Sequence, residues 1–171
     1  KQALSILINV LEDLNQEPMV RHEAAEALGA LGYPEAIDVL EKYKSDPVVE
    51  VAETCQLAIE RIKWLRNPDE INSLSKNPYS SVDPAPPALT EDVNTLKSTL
   101  LNENASLFDR YRAMFALRNL NTKESVLALG AALKCKGALF KHEIAFVFGQ
   151  MQHPDSVPFL IGALMDETEN E

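Results

Sequence analysis

A chain of 171 residues, 46% of them hydrophobic, can bury a core without disulfides or a structural metal to hold it together. Its formal charge of −10 argues against nucleic-acid binding and suits a cationic partner, such as a basic protein surface or a polyamine-like group. No apolar run reaches the roughly 20 residues of a membrane span, so the chain is read as soluble. Cys55 and Cys135 make no metal-binding spacing, which fits reduced thiols in the cytoplasm, and both are expected on buried helix faces. Lys1-Gln2 does not begin a signal peptide, so the chain is expected to start inside a longer one.

Taken in order, residues 2–14 place Leu4, Leu7, Ile8, Leu11 and Leu14 on one stripe of a helix. Pro18 suits a first helical turn, and Val20, Ala24, Ala27, Leu28 and Leu31 follow at helical spacing until Gly32. Pro34 opens a short helix holding Ile37, Val39 and Leu40. Ser45-Asp46-Pro47 breaks it before a longer helix carrying Val48, Val51, Cys55, Leu57, Ala58, Ile62 and Leu65. From about Asn67 to Leu89, Pro68, Pro78, Pro84, Pro86 and Pro87 stand among Asn and Ser, and this stretch is expected to be non-helical. A linker that long divides the chain into 1–66, 67–89 and 90–171. Thr90 is expected to cap the next helix, with Val93, Leu96, Leu100 and Leu101 buried. Helices then follow near 106–120, 122–134, 138–151 and 155–166.

The chain repeats itself. Pro47 to Ala52 falls on Pro18 to Glu23 at an offset of 29, and Phe108 to Ala113 falls on Met19 to Ala24 at 89. His142-Glu143, Gly149 and Pro154 fall on His22-Glu23, Gly29 and Pro34 at 120. Units of about 30 residues, each an αα-hairpin, describe an all-α, HEAT-like α-solenoid in two halves. At the key position the units read His22-Glu23, Val51-Ala52, Tyr111-Arg112 and His142-Glu143. The acidic ending Asp166 to Glu171 resembles Glu12 to Glu17, which precedes the first pair. Further His-Glu units are therefore expected beyond Glu171 and upstream of Lys1.

Adjacent helical residues point about 100° apart, so His22 and Glu23 converge only at the rim of a packed face. A single pair is weak evidence. Its recurrence is stronger, because hairpin stability does not require His and Glu where Val51-Ala52 and Tyr111-Arg112 also serve. Imidazole and carboxylate without thiolate make a ligand set for iron, manganese or zinc. Pairs from separate helices can enclose two metals, as in dinuclear carboxylate sites of helical bundles. Glu26 lies four residues after His22, but its counterpart is Phe146, so it reads as a satisfied surface carboxylate. His153 reads as an ordinary turn histidine. Gly29 and Gly149 read as sites of close helix packing, with open room for a substrate as the alternative. No phosphate loop, nucleophile elbow or Ser/His/Asp arrangement is present.

The segments Arg21 to Ala30, Tyr79 to Pro87, Arg110 to Asn119 and Lys141-His142-Glu143 resemble the deoxyhypusine hydroxylase family over almost the whole chain. The resemblance implies a two-halved HEAT-like protein with four His-Glu motifs holding two irons. It implies dioxygen-dependent hydroxylation of the deoxyhypusine side chain of eukaryotic initiation factor five-A, with no nucleic acid and no membrane as partner. By the same likeness His22, Glu23 and His142 are iron ligands, and Glu143 anchors the substrate's amines or also ligates metal. The first and fourth motifs are missing from these residues, so the segment alone carries an incomplete set. Two other readings stand beside this one. One is a non-enzymatic HEAT-repeat adaptor that binds a partner protein on its concave face; the other is a phycobilin lyase-type repeat protein.

Overall fold

The computed structural model describes residues 2–74 and 77–168. Ser75 and Lys76 of the Pro-rich stretch, and Glu169 to Glu171 of the acidic ending, lie outside the described residues. Helical periodicity becomes helix in chain order: α1 (Gln2–Glu12), α2 (Pro18–Leu31), α3 (Ile37–Tyr43), α4 (Val49–Trp64), α5 (Pro68–Ser73), α6 (Val93–Leu101), α7 (Leu107–Leu120), α8 (Lys123–Ala132), α9 (Ala138–Met151) and α10 (Val157–Leu164). Single 3-10 turns at Pro34–Ala36 and Pro154–Ser156 lead into α3 and α10. The fold is all-α and HEAT-like, with no strand among the described residues. None of the described helices is long and apolar enough to cross a membrane.

The sequence repeat is a structural repeat in register. Helices α2, α7 and α9 are each 14 residues long and begin at residues 18, 107 and 138, offsets of 89 and 120. Each ends on a left-handed residue, Gly32, Asn121 or Gln152, whose N–H bonds the carbonyl four residues back. That conformation costs glycine nothing and asparagine little. At Gln152 the side-chain amide donates to the Gly149 carbonyl at 2.6 Å and supports the turn. Arginines repeat too: Arg21 Nε donates to the Leu11 carbonyl at 2.9 Å, and Arg110 Nε to the Leu100 carbonyl at 3.0 Å. Each supplies a donor to the last turn of the preceding helix, where buried carbonyls lack intrahelical donors.

The chain forms two compact units. The first contains α1 to α5 and residues 82–86; the second contains residues 77–81 and 87–168. In the first, α2 lies along α4, and Leu11, Leu28, Leu40, Val51, Ile59 and Ile62 make the core. Gly29 permits this approach, since a Cβ there would sit 2.8 Å from Ala58 Cβ and 2.9 Å from Ala58 Cα. In the second, α6 and α8 pack on α7 around Leu96, Leu100, Met114, Phe115, Leu129 and Phe148.

Several expectations are corrected. Helix α1 stops at Glu12, because the Asp13 carboxylate takes the Asn15 N–H into a local turn, and Leu14 is left 70% exposed. The Pro-rich stretch is not free of helix: it opens with α5, where Pro68 occupies a first-turn position that needs no N–H. Asp92, not Thr90, caps α6, its carboxylate accepting from Thr95 N at 2.7 Å. Thr90 only accepts from Asp92 N in the turn before. Cys55 is buried in α4, but Cys135 lies half-buried in the bend after α8. Close packing holds at Gly29 and not at Gly149, where a Cβ would meet nothing within 4 Å.

Two arginines divide the Pro-rich stretch between the units. Arg61 on α4 donates to the Asp83 carbonyl at 2.9 Å and to the Gly29 carbonyl at 3.3 Å, holding 82–86 to the first unit. Arg118 on α7 donates to Gln150 Oε1 at 2.9 Å, to Asn77 Oδ1 at 3.3 Å and to Ser81 Oγ at 3.4 Å. Its guanidinium also stacks on Tyr79 and Phe115, fixing 77–81 to the second unit.

Candidate functional site

Helix α2 turns Arg21, His22, Ala24, Ala25, Leu28 and Gly29 inward, which leaves Glu23 and Glu26 at the rim. Arg21 fixes this register. One arm reaches Leu11, the other makes a 2.6 Å salt bridge to the buried carboxylate of Asp46, and the guanidinium lies over Tyr43. Arg21 and His22 are adjacent, so a helix pinned at one is oriented at the other.

The His22 imidazole is 6% exposed. Its Nδ1 lies 2.6 Å from Thr54 Oγ1 on α4, and the Thr54 hydroxyl donates to the Glu50 carbonyl at 2.7 Å. The other ring nitrogen, Nε2, faces two carboxylates, Glu26 Oε2 at 3.7 Å and Glu23 Oε1 at 4.0 Å. Glu26 is therefore not a plain surface carboxylate. It is half-buried and nearer to His22 than Glu23 is, and burial followed by the Glu23 charge pushes its carboxyl above the usual range.

The same repeat position is filled elsewhere by core packing. Val51 is 0% exposed, and Tyr111 is 1% exposed with its ring against Phe115 and Phe140. A histidine at this position thus occupies a place that an apolar residue fills when no polar role is needed. In the second unit His142 is exposed and Glu143 half-buried on α9. The two His-Glu pairs belong to different units, and only the first shows its histidine held by a named side chain among the described residues. His153 accepts from Asp155 N at the start of a 3-10 turn, as a turn histidine should. Cys55 sits in the core, where burial first and the Asp46 charge next push its thiol up to about 12, so it is not a nucleophile at neutral pH.

The donors fit iron in kind: one imidazole nitrogen directed at carboxylate oxygens, with no thiolate among them. In number they are an incomplete set: among the described residues no group of three or more His, Cys, Asp or Glu is arranged to hold a metal ion. Sequence reading did not single out Thr54 or Asp46 as contacts of this helix. The available signal was a threonine on the otherwise apolar face of Val51, Cys55 and Ala58; its partner, 32 residues away, was not readable.

Comparison with known proteins gives two repeat families and one set of relatives. A family described as HEAT repeats matches residues 1–60, and one described as PBS lyase HEAT-like repeat matches residues 109–135. Deoxyhypusine hydroxylase of Drosophila melanogaster is 58% identical over 171 residues, covering 99% of this chain and 56% of that protein. That of Danio rerio is 58% identical over 172 residues, and that of Homo sapiens 54% over 169, covering 56% and 55% of those proteins. A solved structure of human deoxyhypusine hydroxylase in complex with glycerol superposes with a TM-score of 0.91 at 54% identity, over 99% of this chain and 58% of that one. The chain spans about half the length of the curated relatives it matches.

Proposed function

Since this chain is a relative of the deoxyhypusine hydroxylases along nearly all of its own length, we propose that it is part of a di-iron monooxygenase. The proposed reaction is hydroxylation of the deoxyhypusine side chain on eukaryotic initiation factor five-A, in the cytoplasm, with dioxygen as co-substrate. The observation that carries this reading is the His22 imidazole, buried where sibling repeats bury Val51 or Tyr111, with Nε2 turned toward Glu23 and Glu26.

His22, Glu23 and His142 would hold iron, with the remaining donors supplied by His-Glu pairs beyond this stretch. Two bound irons would supply the electrons and the binding position that dioxygen needs to be activated. The chain's own residues supply geometry and charge. Thr54 and Arg21 hold His22 in one orientation. Glu143 would take an ammonium group of the substrate, and the net charge of −10 favours the approach of a cationic side chain. Glu26, beside His22, would add a second carboxylate oxygen at the rim.

The test is single-turnover hydroxylation by the protein expressed from its complete gene. Reduced protein is mixed with dioxygen and factor five-A carrying deoxyhypusine, and hypusine is read by mass spectrometry. Hypusine that requires both iron and dioxygen supports the reading. A protein that binds factor five-A but yields no hypusine with iron and dioxygen present would instead be an adaptor.

A further inference from the structure

The Thr54 hydroxyl has one proton and, among the described residues, two hydrogen-bond partners, the Glu50 carbonyl at 2.7 Å and His22 Nδ1 at 2.6 Å. A carbonyl can only accept. If the hydroxyl gave its proton to His22, Thr54 Oγ1 and the Glu50 oxygen would face each other at 2.7 Å with no hydrogen between them. Both contacts are satisfied in one arrangement: Thr54 donates to Glu50 and accepts from a protonated Nδ1.

At the other side of the ring, the carboxylates of Glu26 and Glu23 favour a proton on Nε2. Thr54 opposes them. It lies one turn along from Val51-Ala52, the pair that replaces His-Glu in the second repeat, so a repeat lacking the motif still reaches the motif of its neighbour. The Thr54 side chain is anchored to its own helix, and that helix packs along α2 more extensively than any other pair packs. The hydroxyl is therefore fixed in place before any ligand arrives.

We propose that Thr54 is a positioning residue that holds neutral His22 as its Nδ1–H tautomer, so that Nε2 presents its lone pair at the Glu23 and Glu26 rim for a divalent metal ion. Partners of this type commonly set which imidazole nitrogen ligates. The proposal rests on the reading of His22 as an iron ligand, but its first test does not need metal.

That test is nitrogen-15 NMR of the imidazoles in the metal-free protein expressed from its complete gene, followed over a pH series to its alkaline end. The wild type and Thr54→Ser are expected to show a protonated Nδ1 and an unprotonated Nε2, and Thr54→Val to move the proton toward Nε2. Ferrous or cobaltous ion affinity, titrated on the same three proteins, is expected to fall about ten- to hundredfold in Thr54→Val and to be kept in Thr54→Ser. A bond that only stabilised the fold would lower the melting temperature and leave affinity and tautomer unchanged. A wild-type His22 carrying its proton on Nε2 overturns the proposal even if Thr54→Val fails to fold. So does a Thr54→Val protein that keeps the wild-type tautomer and affinity. A wild type with the Nδ1–H form that takes up no metal would leave the tautomer assignment standing and overturn the functional reading.

Discussion

Arg21 joins three elements through one side chain: the end of α1 at Leu11, the ring of Tyr43 on α3, and Asp46 in the turn before α4. Burial alone would raise the Asp46 carboxyl. The Arg21 hydrogen bond, the Val48 N–H and the Arg21 charge outweigh it and hold the group below the usual carboxylate range. A carboxyl depressed by folding contributes stability above its unfolded value, about 3.9, and that contribution is lost as pH falls through the folded value. Asp46→Asn is therefore expected to cost roughly 3 kcal/mol at neutral pH, the scale of leaving one partner of a buried pair alone. The difference from wild type should shrink as pH drops below about 4. Urea midpoints measured across that range check it; a difference independent of pH would assign the loss to packing. Residues of this kind were hard to read in advance. Arg21 and His22 were visible as a motif, but Asp46 and Thr54 act across 25 and 32 residues, and nothing in a single sequence states which side chains a fold brings together.

At the scale of elements, periodicity was legible wherever a helix buries one stripe, and the offsets of 89 and 120 recur as helix starts and stops. The departures came from local hydrogen bonding. Asp13 ended α1 before its stripe did, and Asp92 displaced Thr90 as a cap, because short carboxylates compete for backbone N–H groups. Prolines were read as excluding helix from 67–89, although Pro68 begins α5. The paired glycines separate two physical cases that one sequence pattern merged. Gly29→Ala places a methyl against the Ala58 backbone and is expected to cost about 1–3 kcal/mol. Gly149→Ala meets open space within a helix and is expected to be neutral or to stabilise by about 0.5–1 kcal/mol. Thermal unfolding of the two variants of this chain decides it, and equal losses would contradict the packing argument for Gly29.

Across the whole molecule, the repeat class was legible because Pro47 to Ala52 and Phe108 to Ala113 fall on the segment around His22-Glu23 at fixed offsets, and the site because His22-Glu23 and His142-Glu143 stand out against Val51-Ala52 and Tyr111-Arg112. The fate of the Pro-rich stretch was not, since its assignment to two units depends on Arg61 and Arg118 reaching it from helices far along the chain. Arg118→Met should remove the contacts to Asn77, Ser81 and Gln150 while keeping an apolar stem in the core. Amide hydrogen exchange is expected to rise at residues 79–81 and to stay unchanged in α6 and α8; uniform exchange across the second unit would contradict a local anchoring role. The central claim, that His22, Glu23 and His142 are iron ligands, is tested most directly by counting iron in the protein expressed from its complete gene, beside His22→Ala and His142→Ala. Near two irons per wild-type chain, with both variants iron-poor and equally helical, is the predicted result. Iron content unchanged in either variant, or no iron in the wild type even after anaerobic ferrous loading, would contradict it.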